Sequence, residues 1–422
     1  MNADPTTDPL LHSWVDGSES SGFPIQNLPY GVFRRTGDRP RVGVAIGDSV
    51  LDLSELDGAG LLDDLDLSPE TYLVDSLQPL LEAGRSAWTA LRARLSDLLE
   101  ASNREIREQP GLAERALTPI SQVELIVPVR PGDYVDFYSS LQHATNLGRL
   151  FRPDGDPLLP NWRHIPIGYH GRSSSVVVSG TPIHRPHGQL KTPDDPPHWG
   201  PTERLDIELE VGFITGAANQ LGEAVPIDSA EDHIFGIVLV NDWSARDVQA
   251  WEYQPLGPFL GKSFATSIGP WVVTLDALAP FRVPAPIQDP PVLEYLQETR
   301  RLGIDLQLEV ELATSTAGGT IISRVNFSEM YWTMAQQLAH VTSNGTPVQA
   351  GDLYASGTVS GAGDASFGSL IELTRNGAEP IALPSGERRT FLEDGDTVTL
   401  RGSCGGGDRP GISLGEVTGT VG

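Results

Sequence analysis

At 422 residues the chain exceeds what one hydrophobic core usually organises, so two domains are expected; its 45 Gly and 34 Pro imply dense turns and favour β structure over a helical bundle. Set against 56 Asp and Glu, 29 Lys and Arg leave a net charge of −27, which repels nucleic acid and anionic membrane and suits divalent cations. An anionic substrate would need a local basic patch. The lone Cys404 excludes an internal disulfide framework and a Cys-based zinc site, no apolar run is long enough to span a membrane, and the first residues lack a signal-peptide pattern, so a cytoplasmic protein is expected.

Residues 1–24 read as a polar N-terminal arm. From Gly31 the pattern predicts a small antiparallel meander: 31–35, 41–46 and 49–53, with turns at Thr36-Gly37-Asp38 and Gly47-Asp48. Leu77, Leu80, Leu81, Gly84, Trp88, Leu91, Leu95 and Leu98 share one stripe at helical spacing, which predicts a helix over 76–100. Gln109-Pro110-Gly111 and Thr118-Pro119 then break the chain. The reading is therefore an arm (1–24), a small β barrel with a helix (25–120) and a larger domain (121–422) whose first strand is 123–129. No βαβ alternation is sustained, so a doubly wound sheet is not expected. The loop 193–201 reads as a Pro-rich surface segment, and a late helix is expected over 328–342 with Gly345 near its C-cap.

Four stretches carry chemistry. Asp136-Phe137-Tyr138-Ser139-Ser140-Leu141-Gln142-His143-Ala144-Thr145-Asn146 concentrates proton-transfer and hydrogen-bonding groups. His143 suits a general base and Asp136 a ligand or orienter; the competing reading is a polar loop with a half-buried His and a helix cap. In Leu205-Asp206-Ile207-Glu208-Leu209-Glu210-Val211 a strand would place three carboxylates on one face. A hard cation such as Mg²⁺ or Ca²⁺ would relieve their repulsion; a solvated strand edge is the alternative. The apolar run from Ile234 to Val240 indicates a strand buried on both faces, ending at Asp242. Asp242 either faces a cleft or caps the next helix, on which Arg246 and Gln249 share a face. Gly257 to Ser263 lacks the spacing of a phosphate loop, so Lys262 reads as a single cation beside carboxylates or a developing oxyanion. Gly411-Ile412-Ser413-Leu414-Gly415 matches a nucleophile elbow, but no His follows it. His184 and His187 sit in a Pro/Gly-rich basic loop and read as a surface turn.

These residues, with Leu159-Pro160-Asn161-Trp162, Gly168-Tyr169-His170-Gly171-Arg172, Pro255 to Ser263, Ala355-Ser356-Gly357-Thr358 and Ser366-Phe367-Gly368-Ser369, closely resemble the fumarylacetoacetate hydrolase family from about Gly31 to the C-terminus. Leu141, where the family pattern has a basic residue, and Gly405-Gly406-Gly407 depart from it. The resemblance implies a mainly β, α+β fold: an N-terminal SH3-like barrel, a C-terminal mixed β-roll carrying the site, and a homodimer. It implies Mg²⁺ or Ca²⁺ on Asp136, Glu208, Glu210 and Asp242, with Lys262 and Thr266 close by. Tyr138, Arg152, Tyr169, Gln249, Tyr253 and Thr358 would contact substrate, a diketo-dicarboxylate small molecule.

The implied reaction is hydrolysis of a 1,3-diketone carbon–carbon bond, fumarylacetoacetate to fumarate and acetoacetate, the last step of tyrosine and phenylalanine breakdown. His143 would activate water, Glu372 would orient His143, and Arg246, Gln249 and Lys262 would donate to the oxyanion. An acylpyruvate hydrolase or 2-oxo acid decarboxylase built on the same metal cage is the rival enzyme. A non-catalytic cation-binding β protein is the rival from another class, and it leaves His143 and Glu372 without a use.

Overall fold

The computed structural model describes residues 4–406 and 409–422, so Gly407 and the first three residues of the arm lie outside the described part. The meander forms as its turn residues direct. Tyr30–Arg34, Arg41–Ile46 and Ser49–Asp52 pair antiparallel in sequence order. Leu117–Pro119 adds to the outer edge at Ser49–Asp52, and Glu124–Ile126 pairs with Tyr30–Arg34, giving a five-stranded sheet. The segment 123–129 therefore completes the first sheet rather than opening the larger one. A strand three residues long carries no mark of its partner, which here lies some ninety positions upstream.

The stripe expected to make one helix makes two, Gln78–Glu82 and Arg85–Leu99. Gly84 interrupts them at φ +82°, in the left-handed region that only glycine enters cheaply. Both pieces bury their leucines in one core with Val32, Val44 and Leu51, so the apolar stripe persists across the break. The arm packs against the second helix. Trp14 Nε1 donates to Leu98 O, and the fully buried Arg92 donates to Thr6 Oγ1, Asn27 O and Gln26 O.

The larger sheet has eight strands. Its main path runs Gly168–His170, Tyr134–Phe137, Leu353–Ala355, Leu209–Thr215, Ile234–Asp242, Thr266–Ile268, Val176–Val178, with Val273–Thr274 also on Ile234–Asp242. Two of these pairings are parallel, 353–355 with 134–137 and 266–268 with 176–178. Ile234–Asp242 is buried along its whole length, as its unbroken apolar run demands. Ile237 and Leu239 enter a core shared with a four-stranded antiparallel sheet (Ala317–Asn326, Gln307–Thr314, Thr397–Gly406, Arg409–Thr420). Val238 and Val240 point the other way, into the core of the N-terminal sheet and its helices. Each such Val, Ile or Leu contributes about 1.5–3 kcal/mol by leaving water. The fold is mainly β, of the α+β class. The late helix starts only at Met334, after Thr333 supplies a capping box with Gln336; Phe327–Glu329 is a separate 3₁₀ turn. The Pro-rich loop contributes the short strand His198–Pro201, paired with His187–Leu190.

Candidate active site

Alternation places the carboxylates. Val135 and Phe137 enter the sheet–sheet core, so Asp136 between them faces the opposite side with Tyr134. Glu210 stands four before Ile214, and Asp242 two after Val240, both of which face that same side. All three lie where these strands run out, with Ala355 in register beside Asp136. Glu208 arrives differently. The strand expected over 205–211 is broken: Leu205–Asp206 pairs with Ser244–Ala245, and pairing with Ile234–Asp242 resumes only at Leu209. This break turns Asp206 away from the site, while Glu208 keeps its place beside Glu210. Ligand-type oxygens of Asp136, Glu208, Glu210 and Asp242 lie within 4.8 Å of one another, and all four residues are buried. The solvated-edge reading fails with that burial, and so does Asp242 as a cap, since Ala245 begins the helix Arg246–Glu252.

Two cations answer part of this charge. Lys262 Nζ lies 2.5 Å from Glu208 Oε2 and 2.6 Å from Asp242 Oδ2. Thr266, directly across the sheet from Asp242, donates to its Oδ1 at 2.9 Å. Arg246 Nη2 lies 2.8 Å from Glu208 Oε1. Burial pushes the Glu208 carboxyl up, but Lys262 and Arg246 outweigh it and hold the group below the ordinary carboxylate range. For Asp136 and Glu210 the help is too small: Lys262 acts on both and Tyr169 on Asp136, yet burial prevails. Burial first, then their acidic neighbours, raise both well above that range. Asp136 Oδ1 and Glu210 Oε1 are fully buried and accept no hydrogen bond among the described residues. Ionised oxygens left so cost several kcal/mol unless a cation meets them. The cluster can hold a metal ion, and its oxygen-only donors fit a hard divalent one.

His143 stands in the first turn of the helix Leu141–Phe151, whose N-cap Ser140 accepts from the His143 backbone N–H. Its Nδ1 lies 2.7 Å from Glu372 Oε2 in a buried pair. Three further groups fix that carboxylate: Asn146 Nδ2 on Oε1 at 2.9 Å, and the hydroxyls of Ser360 and Ser369 on Oε2 at 2.9 and 2.6 Å. Burial pushes Glu372 up, but His143 and these donors pull it below its ordinary value. With Nδ1 held by Glu372, Nε2 is the ring's basic position.

The other candidates divide. Tyr138 stands edge-on to His143 with ring centroids 5.2 Å apart. Tyr169 donates to Asp242 Oδ2 at 3.4 Å, and Gln249 Oε1 accepts from Arg246 Nη1 at 3.2 Å. Thr358 is buried with its hydroxyl unpartnered among the described residues. Arg152 and Tyr253 are exposed; Arg152 donates to Pro157 O and Tyr253 OH accepts from Gln254, so neither touches the carboxylate cluster. Leu141 packs into an aromatic cluster with Trp162, Tyr331 and Trp332, so its apolar character has a structural use. A cavity of about 150 Å³ reaches Asp242 and Lys262 between Tyr169, Arg172 and Phe259. The part of Ser360 and Ser369 in holding Glu372 was not read from the sequence; only Ser369 carries a signal, standing three before Glu372 at the N-cap of its helical turn.

A buried, oxygen-lined cluster that can hold a metal ion beside an imidazole–carboxylate pair is an arrangement suited to a hydrolase. The Fumarylacetoacetate (FAA) hydrolase C-terminal family model matches residues 134–421, and the Fumarylacetoacetase N-terminal model matches residues 26–128. The chain belongs to the fumarylacetoacetate hydrolase family, and it is a hydrolase enzyme. It is 50% identical to the fumarylacetoacetase of Rattus norvegicus over 97% of this chain and 98% of that one. The Arabidopsis thaliana enzyme of that name is 48% identical, over 98% of each chain. The Homo sapiens one is 49% identical, over 97% of this chain and 98% of its own. Among solved structures, a fumarylacetoacetate hydrolase from Exiguobacterium antarcticum shares the fold with a TM-score of 0.53 at 18% identity, covering 93% of this chain and 99% of that chain.

Proposed function

We propose that this chain hydrolyses fumarylacetoacetate to fumarate and acetoacetate, using Mg²⁺ or Ca²⁺ held by Asp136, Glu208, Glu210 and Asp242. The observation that carries the reading is the pairing of a four-carboxylate cluster with the His143–Glu372 dyad, in a chain about half identical to named fumarylacetoacetases along nearly its full length. Such an ion, when bound, supplies Lewis-acid stabilisation of negative charge on the diketone oxygens.

The residues do the rest. Glu372 keeps the proton of His143 on Nδ1, so Nε2 accepts a proton from water as its oxygen attacks one carbonyl carbon. Arg246, Gln249 and Lys262 lie together at the cluster and donate to the oxyanion that forms. The carbon–carbon bond then breaks with its electron pair on the departing ketone fragment, and the imidazolium returns a proton to it. No enzyme nucleophile is needed, and Ser413 of the elbow-like sequence lies in the strand Arg409–Thr420 with no His beside it among its hydrogen bonds. Tyr138, Tyr169 and Thr358 line the substrate's path, while Arg152 and Tyr253 meet the carboxylates from the rim. The working form is a cytoplasmic homodimer; among the described residues no helix is long and apolar enough to cross a membrane.

The test is turnover. Fumarylacetoacetate should lose its enedione absorbance with purified protein, and chelator should abolish that loss until Mg²⁺ or Ca²⁺ is restored. Pyruvate release from an acylpyruvate, with fumarylacetoacetate untouched, would transfer the assignment to the rival hydrolase.

A further inference from the structure

Of the acidic series Asp206, Glu208 and Glu210, the carboxylate cluster leaves out only Asp206, yet Asp206 is fully buried. Four N–H donors fill its two oxygens. Oδ2 accepts from Arg246 Nε at 2.8 Å and from Ile371 N at 3.0 Å. Oδ1 accepts from Leu370 N and Ile207 N, both at 2.7 Å. Leu370 and Ile371 open the helical turn Leu370–Leu373, which carries Glu372. Arg246, on the same Oδ2 as Ile371 N, reaches Glu208 and Gln249. One side chain thus ties the guanidinium beside the cluster to the turn that orients His143.

We propose that Asp206 is a positioning residue for the hydrolysis, fixing the Arg246 guanidinium relative to the His143–Glu372 pair. The inference rests on the reaction proposed above. Water must lose its proton to His143 while the oxyanion gathers beside Arg246, so both groups must be in place at once. A misplacement of about 1 Å between such groups costs up to about a hundredfold in rate. The competing account is that Asp206 merely holds the fold, as buried Asp–Arg pairs do elsewhere. Arg389 and Asp396 form such a pair, with Nε–Oδ2 at 2.8 Å and Nη2–Oδ1 at 3.0 Å, and neither hydrogen-bonds a candidate site residue. Asp396→Asn is therefore the internal control.

The experiment is a pair of double-mutant cycles on the metal-loaded enzyme. Asp206→Asn keeps the volume but removes the charge paired with Arg246 and sets an NH₂ donor against two of the four N–H groups, whichever way the amide turns. Its kcat should fall about 50-fold with KM within about threefold of wild type. Combining it with Arg246→Met, or with Glu372→Gln, should cost little beyond the worse single variant, because the three act as a unit. Asp396→Asn should lower the melting temperature and leave kcat within about twofold. Should Asp206→Asn fail to fold, Asp206→Glu, which keeps the charge and lengthens the arm, enters the same cycles with the same expectation. Losses that multiply in both cycles, or a kcat for the Asp206 variant no lower than for Asp396→Asn, overturn the inference while wild-type turnover stands. No turnover by wild type overturns the hydrolase reading, and this inference with it.

Discussion

His143 and the carboxylate cluster divide the work between proton transfer and cation binding, and that division is separable by mutation. His143 is tied to Glu372 and not to any of the four clustered carboxylates. His143→Ala should therefore lower kcat by about a thousandfold or more while calorimetry finds metal affinity within about threefold of wild type. Near-native turnover from that variant would remove the base. At this scale the sequence was legible where types were unusual for their surroundings: an imidazole amid hydroxyls and amides, an acid at the end of an apolar strand. Asp206 was misread because a run with period two says nothing about where the ladder breaks. Three of the four donors that fill its carboxylate come from segments 40 and over 160 residues away.

The elements were legible where turn chemistry and alternation agree, as in the meander with its Gly37 and Gly47 turns, and in Ile234–Asp242. They were not where distant partners decide, as for Glu124–Ile126, or where one glycine splits a continuous stripe at position 84. Glycines also show how elements hold the site. Gly357 sits at φ +76°, donates its N–H to Glu210 Oε2 at 3.0 Å, and has Phe137 O only 2.2 Å from where a Cβ would stand. Gly357→Ala would thus push on the strand that carries Asp136 and pull an amide from Glu210. It should destabilise by about 2 kcal/mol or more and weaken metal binding about tenfold. Gly84→Ala meets nothing within 4 Å, so only its φ of +82° is strained. That change should cost about 1 kcal/mol, read from denaturant melts, with metal affinity intact. Equal metal affinities for the two variants would show that Gly357 does not shape the cluster.

For the whole molecule, the metal and the proton compete for the same oxygens. Asp136 and Glu210 have folded values well above their unfolded ones, chiefly through burial. As pH rises from about 4, where free carboxyls ionise, the unfolded chain gives up these protons first and the metal-free native state keeps them. Those two residues thus withdraw stability from the metal-free protein as pH climbs toward their folded values. Glu208 and Glu372, held low by cations and hydrogen bonds, act in the opposite sense and are lost only as pH falls. The difference between metal-loaded and chelated protein reports the groups whose protons a bound cation replaces, Asp136 and Glu210 together with Asp242, which burial also raises. Saturating Mg²⁺ or Ca²⁺ at about a hundred times its Kd stabilises by about 2.7 kcal/mol, and that Kd itself tightens as the competing protons leave. The metal-induced rise in melting temperature should accordingly be larger at pH 8 than at pH 5 at fixed metal concentration. A rise that is equal at both, or absent, would mean that the ion does not sit on Asp136 and Glu210. The same competition fits the chain's charge: in a molecule with a net charge of −27, a cavity that favours the protonated form of Asp136 and Glu210 until a cation arrives adds less to the repulsion.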